Sequence, residues 1–228
     1  MHKLVLIRFF FVINLILLPC FCLAEDIKHF KVYFLGQKIG SLELSQTTTS
    51  DINVILINGE ISSSPFKIFN GRFGYKTTFA KGNNDLSGLS FESFVDTIFK
   101  NRKINFSVEK GTLIDVTVSP PSEQTEFTNT ELVNLKFVDP AYSFMSMLRA
   151  PCKNSFIIYD GRRIAEIISM KSTSEFECRY RYKIKKGPGH LYPFNLKNFE
   201  IVIFLNQKET LESSTMIVKA GSLKLMFE

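Results

Sequence analysis

Apolar and polar positions alternate with a period of two along most of this chain. Phe30, Val32 and Phe34 alternate with Lys31 and Tyr33, and Leu42 and Leu44 alternate with Ser41, Glu43 and Ser45 after Gly40. Further on, Ile104, Phe106 and Val108 alternate with Lys103, Asn105 and Ser107, and Ile114, Val116 and Val118 continue the pattern across Lys110-Gly111, a pair suited to a hairpin turn. The clearest run sets Phe176, Cys178, Tyr180, Tyr182 and Ile184 against Glu177, Arg179, Arg181 and Lys183. Phe199, Ile201, Ile203 and Leu205 form another, and a last hairpin is expected to turn at Ala220-Gly221-Ser222. Successive side chains of a strand point to opposite faces, so each run predicts one face for a core and one for water.

One segment breaks the period. Asp139-Pro140 puts a capping carboxylate before a proline suited to the first helical position, and Tyr142, Met145 and Leu148 follow helical spacing with Phe144 beside them. A short helix is predicted over 140–148, ending before Pro151. Pro120-Pro121 and the polar residues after it read as a loop, so 119–131 is where the β-rich domain could divide. More than ten short, mostly antiparallel strands predict a mainly β fold: a curved antiparallel sheet rolled into a barrel or half-barrel.

The first 24 residues stand apart from this pattern. His2, Lys3 and Arg8 precede an apolar run from Phe9 to Leu18, Pro19 breaks it, and Cys22-Leu23-Ala24 presents small residues before Glu25-Asp26. That order is a secretory signal peptide cleaved after Ala24, leaving a single domain over 25–228 in the periplasm or secreted. The alternatives are an uncleaved anchor, for which the apolar run is short, and a lipidated Cys20, for which Pro19 is a poor neighbour.

Cleavage would leave 204 residues with a net charge of +4 and only two cysteines, Cys152 and Cys178. That charge is mild, and no Lys/Arg block reads as a nucleic-acid footprint. In an exported chain the two cysteines are expected to pair, contributing roughly 3.5 kcal/mol through loop closure; two buried free thiols are the other reading.

At this point the residues carry a resemblance. The chain resembles the exported bacterial family catalogued as domain of unknown function 3108, in its alphaproteobacterial form. The matching pieces begin with Tyr33-Phe34-Leu35-Gly36, Ile39-Gly40, the Gly59 strand, Ser119-Pro120-Pro121 and Val138-Asp139-Pro140. Pro151-Cys152, Tyr159-Asp160-Gly161-Arg162-Arg163, Cys178-Arg179-Tyr180-Arg181-Tyr182 and Gly189-His190 follow in the family's order. The sequence departs from the pattern at Lys185-Lys186-Gly187-Pro188, which is more charged than in relatives. The resemblance implies an exported β-rich protein, similar to the half-barrels of lipoprotein carriers, and brings no activity with it.

Catalytic motifs are scarce. The sequence has no Gly-x-Ser-x-Gly elbow, no His-Glu-x-x-His and no phosphate loop, and no catalytic residue, metal ligand or cofactor is expected. His29 reads as a solvated residue. His190, in a Gly-Pro-Gly loop, could serve with Asp160 only if the two met in a cleft. Asp160-Gly161 suits a tight turn between strands at 156–159 and 164–168, while Arg162 and Arg163 beside it are candidate anion contacts. Arg179, Arg181 and Lys183, extended by Lys185-Lys186, could meet an anionic surface, although a charged strand face is ordinarily a wet one.

Phenylalanine is the remaining signal: 23 residues beside no Trp, of which 19 follow residue 24. Phe30, Phe34, Phe106, Phe176 and Phe199 are the candidate lining of an apolar site on the inner face, where an acyl chain could lie. The leading expectation is a non-enzymatic envelope protein that binds a lipid or lipidated partner and touches membrane only peripherally. The second is an interaction module or effector docking through an edge strand or its basic face.

Overall fold

The computed structural model describes residues 24–62, 70–81, 88–129, 136–171, 174–190, 195–205, 215–220 and 223–227. Alternation becomes strand throughout. The first seven are β1 (Ala24–Phe34), β2 (Gln37–Thr48), β3 (Ile52–Ile61), β4 (Gly71–Ala80), β5 (Leu89–Thr97), β6 (Lys100–Glu109) and β7 (Thr112–Ser119). Two 3-10 turns, Pro121–Glu123 and Glu126–Thr128, lead towards the helix α1 (Pro140–Arg149). Six strands complete the chain: β8 (Phe156–Tyr159), β9 (Ile164–Met170), β10 (Glu177–Lys186), β11 (Asn198–Phe204), β12 (Thr215–Ala220) and β13 (Leu223–Phe227).

Among the described residues these form one antiparallel thirteen-stranded sheet in the order β7-β6-β5-β4-β3-β2-β1-β13-β12-β11-β10-β9-β8. Two meanders, β1–β7 and β8–β13, are therefore joined where β1 pairs with β13, through Val32 opposite Phe227 and Phe34 opposite Leu225. The predicted leader lies outside the described residues except for Ala24, which opens β1 opposite Thr48. The turn expected at 221–222 also lies outside them, between Ala220 and Leu223, which are paired.

The sheet rolls but does not close. β6 and β8 stand eleven places apart in that order, roughly 50 Å if the sheet were flat. Yet the ring of Phe106 on β6 lies 5.2 Å from that of Tyr159 on β8. The two ends meet through side chains, leaving β7 and β8 as its edges. The β8 edge is partly covered by Val138, whose N–H donates to Ile157 O and whose carbonyl accepts from Tyr159 N.

Inside the roll, α1 lies against β3, β4 and β8 and buries Ala141, Met145, Met147 and Leu148. Its start follows the capping prediction: Asp139 Oδ1 accepts the N–H groups of Ala141 and Tyr142 at 2.8 and 3.0 Å, with Pro140 in the first turn. Thr77 on β4 adds a third bond to that oxygen at 2.6 Å, tying helix to sheet. Around them Phe30, Val32, Phe34, Leu42, Leu44, Ile55 and Ile57 form the larger core. A second cluster, Leu89, Phe91, Phe106, Val108, Leu113 and Tyr159, fills the side where the sheet ends meet.

Two sequence expectations need correction. Ile114 is 51% exposed and Leu113 is buried instead. The pairing slips between Ser107 opposite Asp115 and Val108 opposite Leu113, so Ile114 is the extra residue of a β-bulge and the inward set changes parity. Phe176 is 48% exposed, because it occupies the turn before β10 rather than the strand itself.

Candidate functional site

The loop between β8 and β9 is four residues long, and each residue has a defined duty. Asp160 Oδ1 accepts the backbone N–H groups of Arg162 and Arg163 at 3.1 and 3.0 Å. Gly161 takes φ +86°, and a Cβ there would lie 2.3 Å from Ile104 Cγ2 on β6. Only glycine satisfies both the turn and the close approach. The tight turn expected from Asp-Gly is present, but its arginines are not solvated: Arg162 and Arg163 are both buried.

They serve two separate groups. Arg162 faces the first 3-10 turn, where its Nη2 lies 3.0 Å from Glu123 Oε2 and its Nε donates to Glu123 O. The same carboxylate oxygen is 3.2 Å from Arg102 Nη1 and 3.3 Å from Lys100 Nζ. Burial works against the Glu123 charge, but Arg162 and Lys100, with hydrogen bonds from Arg102 and Lys100, outweigh it and hold its pKa below the usual range. Thr125 Oγ1 donates to Arg162 O, and Tyr159 Oη donates to Phe127 O at 2.6 Å. These contacts clasp residues 121–128 across the gap between the two sheet ends.

Arg163 instead belongs to the interior. Its Nε lies 2.7 Å from Asp160 Oδ2 as an ion pair outside hydrogen-bond geometry, and its Nε and Nη1 are both buried with no hydrogen-bond acceptor among the described residues. Tyr75 on β4, Tyr182 on β10 and His190 after it lie within its electrostatic reach. Burial pushes the His190 imidazole down to about 3, and the Arg163 guanidinium adds to that push. Burial also raises the Tyr75 and Tyr182 hydroxyls, with the Asp160 carboxylate adding to the rise and Arg163 opposing it. Tyr182 Oη is 2.7 Å from His190 Nε2, so at neutral pH two uncharged groups share a hydrogen bond. The Tyr182 ring stacks on Phe199 at 4.1 Å, with His190 edge-on to both.

The charge balance is uneven. Among the described residues, Lys100, Arg102 and Arg162 share Glu123, and Arg163 faces Asp160. Tyr75, Phe199 and His190 each keep accessible surface although they lie among inward-facing groups. Partly accessible aromatic rings thus lie near a cationic group on the inner side of the roll. Apart from them, Glu126, Phe127, Lys185 and Lys186 line an open depression of about 420 Å³.

Of the five phenylalanines expected to line an apolar site, Phe199 is partly accessible beside Tyr182 and His190. Phe106 is packed face to face on Phe91 at 4.6 Å, and Phe30 and Phe34 are buried in the larger core. These three fill space, and Phe176 is exposed. The basic row lies on the outer face and is interlaced with acid. Arg179 pairs with Glu177 and Glu200, exposed Arg181 stands opposite Glu200 in register, and Lys183 stands opposite Glu166. His29 is exposed beside Glu43, at 3.6 Å. Cys152 and Cys178 are bonded, with Cα atoms 5.1 Å apart, and the Cys152 N–H donates to Tyr180 Oη. Sequence reasoning missed Tyr75, Arg102 and Glu123, which carry no local motif. Among the described residues, no three His, Cys, Asp or Glu side chains are grouped to hold a metal ion, and no helix is long and apolar enough to cross a membrane.

No family model matches the sequence, and no curated protein matches it. Among solved structures, it is similar to a β-barrel-like protein of domain of unknown function DUF1849 from Brucella abortus. The two share 11% identity over 90% of this chain and 95% of that one, with a TM-score of 0.47.

Proposed function

We propose that this protein is a non-enzymatic binding protein of the bacterial envelope that holds the acyl chain of a lipid or lipidated partner on the inner side of its rolled sheet. The observation that carries the reading is the aromatic surface of Tyr75 and Phe199, which stays accessible on the inner side of the roll while neighbouring Phe106 and Phe91 are packed shut. Burying each methylene there contributes about 0.8 kcal/mol, enough for a modest chain to bind at micromolar strength after ordering costs. Export by the N-terminal leader and kinship with the family catalogued as domain of unknown function 3108 belong to the same reading. They rest on the sequence features given above, and the disulfide suits an oxidising compartment.

The test is displacement of a fluorescent fatty-acid probe from exported protein, together with native mass spectrometry for co-purifying lipid. Saturable uptake at micromolar probe, displaced by palmitate, is the expected result. No uptake at high micromolar concentration would defeat the proposal. The alternative, a docking module, is favoured by Ile98 and Phe99, which sit 68% and 61% exposed at the tip of the β5–β6 hairpin.

A further inference from the structure

The geometry points to Arg163 as the anchor for an anionic head group on that acyl ligand, a carboxylate or a phosphate, bound on the inner side of the roll. This inference rests on the acyl-binding reading and specifies which end of the ligand lies where. A guanidinium has five N–H donors, and burying one without an acceptor is costly. Arg163 is 4% exposed; Asp160 Oδ2 stands 2.7 Å from its Nε as an ion pair without hydrogen-bond geometry, and neither Nε nor Nη1 meets a hydrogen-bond acceptor among the described residues. Asp160 cannot readily turn to serve those nitrogens, because its other oxygen is held by two backbone N–H groups.

The surroundings select for an anion rather than a neutral head. Arg102 and Arg163 both bear on His190 electrostatically, and among the described residues four cations near the loop face two carboxylates. The donors of Arg163 that lack an acceptor gain most from a charged one. The neutral groups beside Arg163, the hydroxyls of Tyr75 and Tyr182 and the imidazole of His190, can supply hydrogen bonds without adding charge. The stacked rings of Tyr182 and Phe199 offer apolar surface for the chain. The cationic group and the apolar rings lie side by side, and a single-chain amphiphile matches both.

The experiment compares palmitate, hexadecyl phosphate and hexadecanol, ligands of equal chain length, in displacing a fluorescent acyl probe from the full exported chain. One or both anions should compete at least about tenfold better than the alcohol, as a charge-assisted hydrogen bond implies; which anion leads identifies the head group. Arg163→Leu should bring the preferred anion down to the level of the alcohol. Because that change strands Asp160, the double variant Asp160→Asn/Arg163→Leu is measured beside it, each checked by circular dichroism. Equal competition by all three ligands in the natural protein overturns the anchor while leaving acyl binding intact. A preference for the anion that survives in the double variant overturns the assignment to Arg163. Failure of every ligand to displace, or of the probe to bind, removes the acyl-binding reading and the anchor with it.

Discussion

Asp160 holds Arg163 at both ends, accepting its backbone N–H on Oδ1 at 3.0 Å and facing its Nε from Oδ2 at 2.7 Å. One carboxylate thus shapes the turn and balances the buried guanidinium that the turn carries inward. Removing it should have two effects. Asp160→Ala loses the turn acceptor and leaves Arg163 uncompensated, which costs about 3–5 kcal/mol for a buried pair. Asp160→Asn keeps an acceptor and should lose less. Urea unfolding of the two variants beside the natural protein separates the contributions; equal losses would show that the charge facing Arg163 alone matters and the turn bonds do not.

Glu123 is the common counter-ion of Lys100, Arg102 and Arg162. Glu123→Gln should loosen the 121–128 clasp before it unfolds the sheet. The expected loss is about 1–3 kcal/mol, below the full cost of a buried pair because the site is partly wetted. Amide hydrogen exchange should speed up at Gln124 and Thr128, whose N–H groups bond within the clasp. Unchanged exchange at those amides would mean that the ion cluster does not hold the segment.

The Cys152–Cys178 bond closes a loop of sequence separation 26 and ties the segment after α1 to β10. Reduction, or Cys178→Ser, should lower stability by about 2–5 kcal/mol. Thermal unfolding with and without reductant measures it. A Cys178→Ser protein as stable as the oxidised one would show that the buried Cys178 acts by packing alone.

His190 carries a pH signature. Its imidazole is pushed down to about 3 by burial first and by Arg163 next, so the native chain refuses a proton that the unfolded chain binds below about 6.5. The stability this provides is complete above pH 6.5 and is lost as the pH falls towards 3. His190→Gln should flatten that decline in unfolding midpoints taken from pH 7 to 4. A variant with the same slope as the natural protein would place the proton uptake elsewhere.

Asp139 has the opposite sign. Burial raises its carboxyl, outweighing hydrogen bonds from Thr77, Tyr142 and Ala141, and its Oδ2 is buried without a partner among the described residues. The native chain keeps a proton that the unfolded chain releases above about pH 4. Stability from this group is therefore complete below pH 4 and lost as the pH rises through the raised pKa. Asp139→Asn, which keeps a capping oxygen and has no proton to release, should match the natural protein near pH 4 and exceed it at neutral pH. Asp139→Ala should lose about 1–2 kcal/mol as a cap and strand the Thr77 hydroxyl. A neutral-pH loss in the Asn variant as large as in the Ala variant would show that the native carboxyl is ionised.

Local chemistry determined the pieces of this fold. Alternation at Phe30, Val32 and Phe34, and at Cys178, Tyr180, Tyr182 and Ile184, assigns faces directly because the strand period is two, and all seven side chains are buried. Asp139-Pro140 starts a helix because a short carboxylate beside a proline satisfies donors that no helix can satisfy alone. Where a single residue alters the parity, as at Ile114, the pattern misleads, because a bulge is set by the partner strand and not by the residues that form it.

The site belongs to the tertiary structure. In sequence, Asp160-Gly161-Arg162-Arg163 is a tight turn with two candidate anion contacts, and nothing nearby distinguishes one arginine from the next. The curvature accumulated over thirteen strands brings β6 against β8 and delivers Glu123 to Arg162 across 39 residues, while Arg163 turns inward towards Tyr75, Tyr182 and His190. That closure is decided by the sum of many small twists and by which strands pair at β1 and β13, quantities spread over the whole chain. Faces are local properties of a strand and can be read residue by residue; enclosure is a property of the rolled sheet, and with it comes the dryness that turns two ordinary arginines into a clasp and an anchor.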